Sequence, residues 1–168
     1  MKHFDGPSCG SASSAIQSAI VWVPAPVPGI AVAALSDDGQ FSEAVLRGGL
    51  SSDEYKRGAA IADPTERRHY MFRRCFQRAF VGTVLNWEGA LDALDIEHRL
   101  DTQPQCLQAP DLRLSFSASG VTAVACASLA RDVGIDIERA REIENVEALA
   151  RRFFTKSEAD VIKALPPA

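Results

Sequence analysis

Two acids one residue apart, Asp136 and Glu138, stand in the segment Val133–Glu138 (VGIDIE) of a 168-residue chain. The alternation of apolar and acidic residues reads as a strand. In a strand, residues i and i+2 project from the same face, so both carboxylates share one side and Ile135 and Ile137 the other. Neighbouring carboxylates repel each other unless something positive lies between them. A hard divalent cation such as Mg²⁺ meets that need and pairs with substrate phosphates. The same spacing also suits a strand end with solvated acids paired to Arg139 or Arg141, and D-x-E alone leaves both readings open.

A second feature is basic. Residues 56–78 hold Lys56, Arg57, Arg67, Arg68, Arg73, Arg74 and Arg78 against only Asp63 and Glu66. Arginine offers a planar fork of donors suited to phosphate. A solvated helix face explains such a run equally. A third feature is the turn Ser117, Ala118, Ser119, Gly120, whose hydroxyls and backbone N–H groups suit a phosphate or an ordinary hairpin. The histidines, His3, His69 and His98, form no triad pattern, and neither a P-loop nor G-x-G-x-x-G occurs.

These groups need elements to position them. Asp63, Pro64 and Glu66 give an N-cap, a first helical proline and a capping-box pattern. Phe72, Phe76, Ala79, Phe80 and Val84 then recur at helical spacing over about 20 residues. Ser51 or Ser52 caps a preceding helix reaching about Ile61, and Ser42–Leu46 forms a helical turn. Ile20–Val23 reads as a short strand. Leu94–Leu100 alternates weakly, and Asp101–Pro110 reads as a loop. Leu112, Leu114 and Phe116 alternate as a half-buried strand, and Val121–Leu129 reads as a central one. Glu142–Phe154 forms an amphipathic helix, and Thr155 or Ser157 caps a last helix ending at Pro166. Strands close in sequence favour antiparallel pairing, hence an α+β fold.

Composition narrows the function classes. Apolar residues make up 46% and charged residues 24%, which excludes wholesale disorder. A net charge of −4 argues against a nucleic-acid partner. The longest apolar run, Ile30–Leu35, is six residues against the roughly 20 of a membrane span. Cys9, Cys75, Cys106 and Cys126 lack zinc spacing, and scattered thiols without a secretion signal fit the cytoplasm. Cys126 reads as a small core residue. Residues 1–18 read as a flexible tail or as the product of an upstream start.

In this order, LRLSFSASG (112–120), VGIDIE (133–138) and ARRFFTKSE (150–158) resemble the Sfp-type 4′-phosphopantetheinyl transferases. The family pattern is a strand ending S-H-S-G, then G-[IV]-D-[IV]-E, then a helix ending R-F-F-[ST]-x-x-E. LSSDEYKR (50–57) and Pro64–Arg78 resemble its first-half helices, and Thr102, Gln103 and Pro104 stand where it often has G-K-P. The likeness spans about residues 20–165. It implies a pseudo-dimer of two similar α/β halves with the active site between them. Here residues 19–131 would be the first half, and residues 132–168 the incomplete opening of the second.

The implied activity is transfer of the phosphopantetheine arm of coenzyme A to a carrier-protein serine, releasing 3′,5′-ADP. The resemblance assigns Asp136 and Glu138 to Mg²⁺. It places Arg57, Arg68 and Ser117 near the phosphates and adenosine. The CoA-binding positions that hold a family histidine and lysine are Ala118 and Gln103 here. The family's later [FW]-x-x-K-E-A motif, with the third metal ligand and proposed base, does not occur before Ala168, and Glu158 belongs to a different motif. The implied partners are coenzyme A and an acyl or peptidyl carrier protein. A member that binds CoA or a carrier without transfer is the alternative. A metal nuclease is disfavoured because Arg139 and Ala140 replace the E-x-K continuation. The apolar sides of Val133–Glu138 and Glu142–Phe154 are expected to be exposed, giving poor stability or self-association.

Overall fold

The computed structural model describes residues 12–25, 27–99, 102–140 and 143–165. It divides after Glu138 into two compact units, so Asp136 and Glu138 belong to the larger one. The fold is α+β, with antiparallel pairing throughout.

The larger unit starts with helix α1 (Ala12–Ala19). Residues 12–18, expected within a flexible tail, are therefore helical, while residues 1–11 lie outside the described residues. Ile16 is fully buried, and α1 packs on two later helices. Strands β1 (Val21–Val23) and β2 (Ile30–Ser36) follow as a hairpin. Helices α2 (Glu43–Gly48) and α3 (Ser52–Ala59) start at the serines the sequence offers. Ser42 Oγ accepts from the Val45 N–H, and Ser51 with Glu54 forms a complete capping box. Helix α4 (Pro64–Leu85) starts at Asp63, whose carboxylate accepts from the Glu66 N–H at 2.8 Å. Only that half of the expected box forms, because the Glu66 carboxylate turns to His69 and Arg73. Asn86 ends α4 in the left-handed conformation, a common C-terminal stop.

Beyond a short 3₁₀ turn (Leu91–Ala93), β3 (Ile96–Glu97) pairs with β4 (Gln105–Cys106). The loop expected over 101–110 thus contains a short strand. Strands β5 (Arg113–Ser119) and β6 (Thr122–Ser128) form a hairpin with Gly120 at φ +58° in its two-residue turn. Ser117 and Ser119 therefore belong to the strand, and the turn is Gly120–Val121. The sheet order is β1-β2-β6-β5, which makes β6 central, as expected, and β5 an edge.

The core lies between this sheet and α4. Phe72, Phe76 and Phe80 recur every four residues and stack along one helix face. Phe41 extends that column at one end, and Phe116 of β5 meets Phe80 edge-on at the other. Ala33, Leu35, Leu114, Ala123, Ala125 and Ala127 supply the sheet's side of the core. Cys75 is buried among them, and burial pushes its thiol up to about 12. A Cβ built on Gly49 would lie 2.2 Å from Cys75 Sγ. Gly49→Ala is therefore expected to destabilise by about 2–3 kcal/mol, since a packed core resists an added methyl. A lower urea midpoint at unchanged m-value would show it; an unchanged midpoint would mean that Cys75 yields freely.

The smaller unit contains α5 (Val146–Phe153) and α6 (Lys156–Ala164), with Thr155 and Glu158 forming the capping box of α6. Of the helix expected over 142–154, residue 142 lies outside the described residues and the helix proper starts at Val146. Val146, Leu149 and Phe153 are exposed, as expected for this face.

Candidate functional site

Val133–Glu138 does not join the sheet as a strand. Its backbone is held by side chains of β5 instead. Ser115 Oγ accepts from the Ile135 N–H at 3.2 Å, and Ser117 Oγ accepts from the Ile137 N–H at 3.3 Å. Serines two apart on one strand share a face, so they match a segment whose own repeat is two residues. The segment lies on the face of β5 opposite Leu114 and Phe116. It covers Cys126, which pairs with Ser115 across the hairpin and is buried as expected. Val133 is buried and Ile135 and Ile137 are half-buried, which corrects the expectation that this apolar side is bare.

The alternation survives the loss of the strand: Asp136 and Glu138 are both exposed. Ser117 Oγ donates to Asp136 Oδ1 at 2.6 Å while accepting from Ile137, so one hydroxyl fixes both the segment and the carboxylate. Short O–H···O⁻ bonds of this kind are charge-assisted and strong. Among the described residues no cluster of three or more His, Cys, Asp or Glu side chains forms a cage. Mg²⁺ does not demand one, because it keeps several waters and is held by one or two carboxylates plus substrate phosphates. A tethered Asp136 with Glu138 two residues on fits that donor set.

The other sequence-derived positions fall in different settings. Gln103 Nε2 donates to Val133 O at 3.2 Å and thereby ties the 102–104 loop to the acidic segment. Gln103 also lines a cleft of about 240 Å³ with Arg99, Thr102 and Pro104. Ala118 faces the helices and packs against the core. Arg68 is engaged by the 37–41 segment: it donates to Asp37 Oδ1 at 2.8 Å and to Phe41 O at 2.7 Å. Arg57 is exposed, and its Nε reaches only the Asp53 carbonyl of its own helix.

No protein-family model matches the chain. It is 30% identical over 118 residues to the 4′-phosphopantetheinyl transferase HetI of a Nostoc species. Over that stretch the chain is similar to a 4′-phosphopantetheinyl transferase. The match covers 70% of this chain and 50% of the relative, so the chain spans half the length of that transferase. No described helix is long and apolar enough to cross a membrane.

Two residues depart from what their place in the sequence suggests. Arg78, counted there among the basic run, is buried and pairs with Glu54 at 2.6 Å. Its helical phase, shared with the buried Met71 and Cys75, was the available signal. His98 lies with its ring centroid 6.2 Å from that of Phe116. Its imidazole is pushed down to about 4, first by desolvation and then by the charge of Arg74. The unfolded chain takes up this proton near 6.5 and the folded one only near 4, so the folded state loses stability as pH falls between those values. The urea midpoint is expected to drop over that window, and His98→Gln to flatten the drop. Equal slopes in both proteins would remove His98 as the cause.

Proposed function

We propose that this protein is the part of a Mg²⁺-dependent 4′-phosphopantetheinyl transferase that binds coenzyme A. The reaction moves the phosphopantetheine arm to a serine of an acyl or peptidyl carrier protein. The serine oxygen bonds to the phosphorus that carries the arm, and the bridging P–O bond breaks. The electron pair leaves with 3′,5′-ADP, and the serine proton passes to water. The observation that carries this reading is the Ser117-tethered Asp136 with the exposed Glu138 two residues on, in a chain with a transferase relative. We assign residues 19–131 to the first half of a two-half fold and residues 132–168 to the start of the second.

In this reading Asp136 and Glu138 hold the metal, which when bound neutralises pyrophosphate charge. Ser117 keeps the Asp136 carboxylate in one orientation, so less ordering remains to be done when ligand arrives. Gln103 holds the neighbouring loop to the same segment. Four scattered cysteines fit a reducing compartment, the cytoplasm.

The test is calorimetric titration of CoA into the protein with and without Mg²⁺, followed by the intact mass of an apo carrier protein. Mg²⁺-dependent CoA binding is expected. A phosphopantetheine mass gain on the carrier identifies transfer, and binding without mass gain identifies the binding-only alternative. No CoA binding under either condition would refute both.

A further inference from the structure

The sheet has one face on the core and one turned away from it. Residues directly opposite on antiparallel strands share a face. Val23, Val32, Cys126 and Ser115 therefore form one row across the outer face, and Val21, Ala34, Val124 and Ser117 the next. Along the first row burial deepens toward β6: Val23 is 44% exposed, Val32 half-buried and Cys126 3% exposed. Val124, two residues before Cys126 on the same strand and face, is only half-buried. Among the described residues of the larger unit, Cys126 and Val133 are the buried apolar side chains that do not belong to the core cluster. The core therefore does not shield Cys126. Its cover is the acidic segment, whose Ile135 N–H donates to Ser115 beside it.

That cover is lightly attached. Val133–Glu138 has no place in the ladder of the four-stranded sheet. Gln103 Nε2 holds Val133 O, Ser115 Oγ holds the Ile135 N–H, and Ser117 Oγ holds both the Ile137 N–H and Asp136. Each of these bonds has a side chain at one end at least. Three of them are 3.2–3.3 Å long, at the weak end for N–H···O. Val133 is buried, but Ile135 and Ile137 are only half-buried. Elements with few buried apolar contacts open locally at less cost than global unfolding. Two features act on the balance. Asp136 and Glu138 repel each other unless a cation lies between them. The short bond that orients Asp136 exists only while the segment lies on β5.

We infer that Val133–Glu138 is a strap that opens over Cys126 without unfolding the core, and that a divalent cation on Asp136 and Glu138 draws it shut. This rests on the metal assignment above. The coupling is one of linkage. The cation binds the closed strap, where Ser117 orients Asp136, more tightly than the open one, so its occupancy lowers the open population. Cys126 reports the state, because opening uncovers it while Cys75 and Cys106 stay fully buried in the core. The linkage also runs the other way. A group fixed to Cys126 Sγ that keeps the strap from seating weakens the cation by the same coupling.

The test treats the full chain with iodoacetamide, in EDTA and in Mg²⁺ with inorganic pyrophosphate, and follows each cysteine by peptide mass. Amide exchange at Ile135 and Ile137 is followed by NMR, and calorimetry measures binding of Mg²⁺-pyrophosphate. In EDTA, Cys126 is expected to react at least about tenfold faster than Cys75 and Cys106. Mg²⁺-pyrophosphate at about ten times its Kd should slow Cys126 and both amides about tenfold, as for a ligand that binds one state only. Cys75 and Cys106 should not respond. Ser115→Ala, which removes the Ile135 acceptor and leaves both acids, should speed the two readouts about two- to tenfold in EDTA. Protein alkylated at Cys126 should bind Mg²⁺-pyrophosphate at least about tenfold more weakly, while Cys126→Ala given the same treatment keeps its affinity. Thermal melts check that each variant is folded. If Cys126 reacts no faster than Cys75 and Cys106, and both amides exchange only by global unfolding, the strap does not open and the inference falls without touching the metal assignment. If Mg²⁺-pyrophosphate binds, and Asp136→Ala abolishes that binding, yet Cys126 reacts at an unchanged rate, the coupling is wrong and the proposed function stands. If the strap opens but Mg²⁺-pyrophosphate does not bind, the metal assignment falls and the coupling with it.

Discussion

Arg78→Ala is expected to lower the unfolding free energy by about 3–5 kcal/mol. Both side chains of the Arg78–Glu54 pair are about 5% exposed or less. Removing the arginine leaves Glu54 charged in a site that water barely reaches, and it strips the Leu91 and Leu94 carbonyls of their donor. For a chain of this length the loss corresponds to roughly 10 °C in Tm. The double change Glu54→Gln with Arg78→Met is expected to recover much of it, because breaking a buried pair costs more than replacing it. Chemical denaturation of the three proteins decides the matter. A loss below about 1 kcal/mol for Arg78→Ala would mean that water reaches the pair.

Asp136→Ala is expected to weaken Mg²⁺-dependent CoA binding by about a hundredfold or more while leaving Tm nearly unchanged. Even residues that only orient a metal ligand are worth about 10–100-fold, so loss of the ligand itself should cost at least the upper figure. Ser117→Ala separates the two roles. It removes the 2.6 Å bond that orients Asp136 but keeps the carboxylate, so a loss of about 10–100-fold is expected, with some loss of stability as the Ile137 N–H loses its acceptor. Titrations in Mg²⁺ and in EDTA give the comparison. Equal affinity of wild type and Asp136→Ala in Mg²⁺ would remove the carboxylate from the site.

What was readable in the sequence follows the range of the interactions involved. Helix starts depend on residues three or four apart, so the cap at Asp63 was legible, and those at Ser51 and Thr155 were each legible as one of two candidates. The strand parity of Leu114 and Phe116 and the exposure of Asp136 and Glu138 beside the more buried Ile135 and Ile137 were legible for the same local reason. The means of holding the acidic segment was not. Side-chain hydroxyls of β5 replace a backbone ladder there, and nothing in VGIDIE distinguishes the two. Helix α1 was not legible because ASSAIQSA holds a single large apolar residue, Ile16, which anchors it in the core. Arg78 was misread because its partner is 24 residues away on another helix. The His98 setting depends on three elements that meet only in the folded chain.

The pairing of β2 with β6 sets the order of events when the chain is made. Ser36 and Thr122, which share a hydrogen bond across these strands, are 86 residues apart. The β1–β2 hairpin is synthesised early, but its other edge stays unsatisfied until the β5–β6 hairpin exists. An open strand edge flanked by Ile30, Val32 and Leu35 is the kind of surface that recruits other chains. Contacts this distant in sequence also slow folding, because loop closure must be paid for before they form. Growth temperature and chaperone supply during expression should therefore govern the soluble yield more strongly than the stability of the finished protein does.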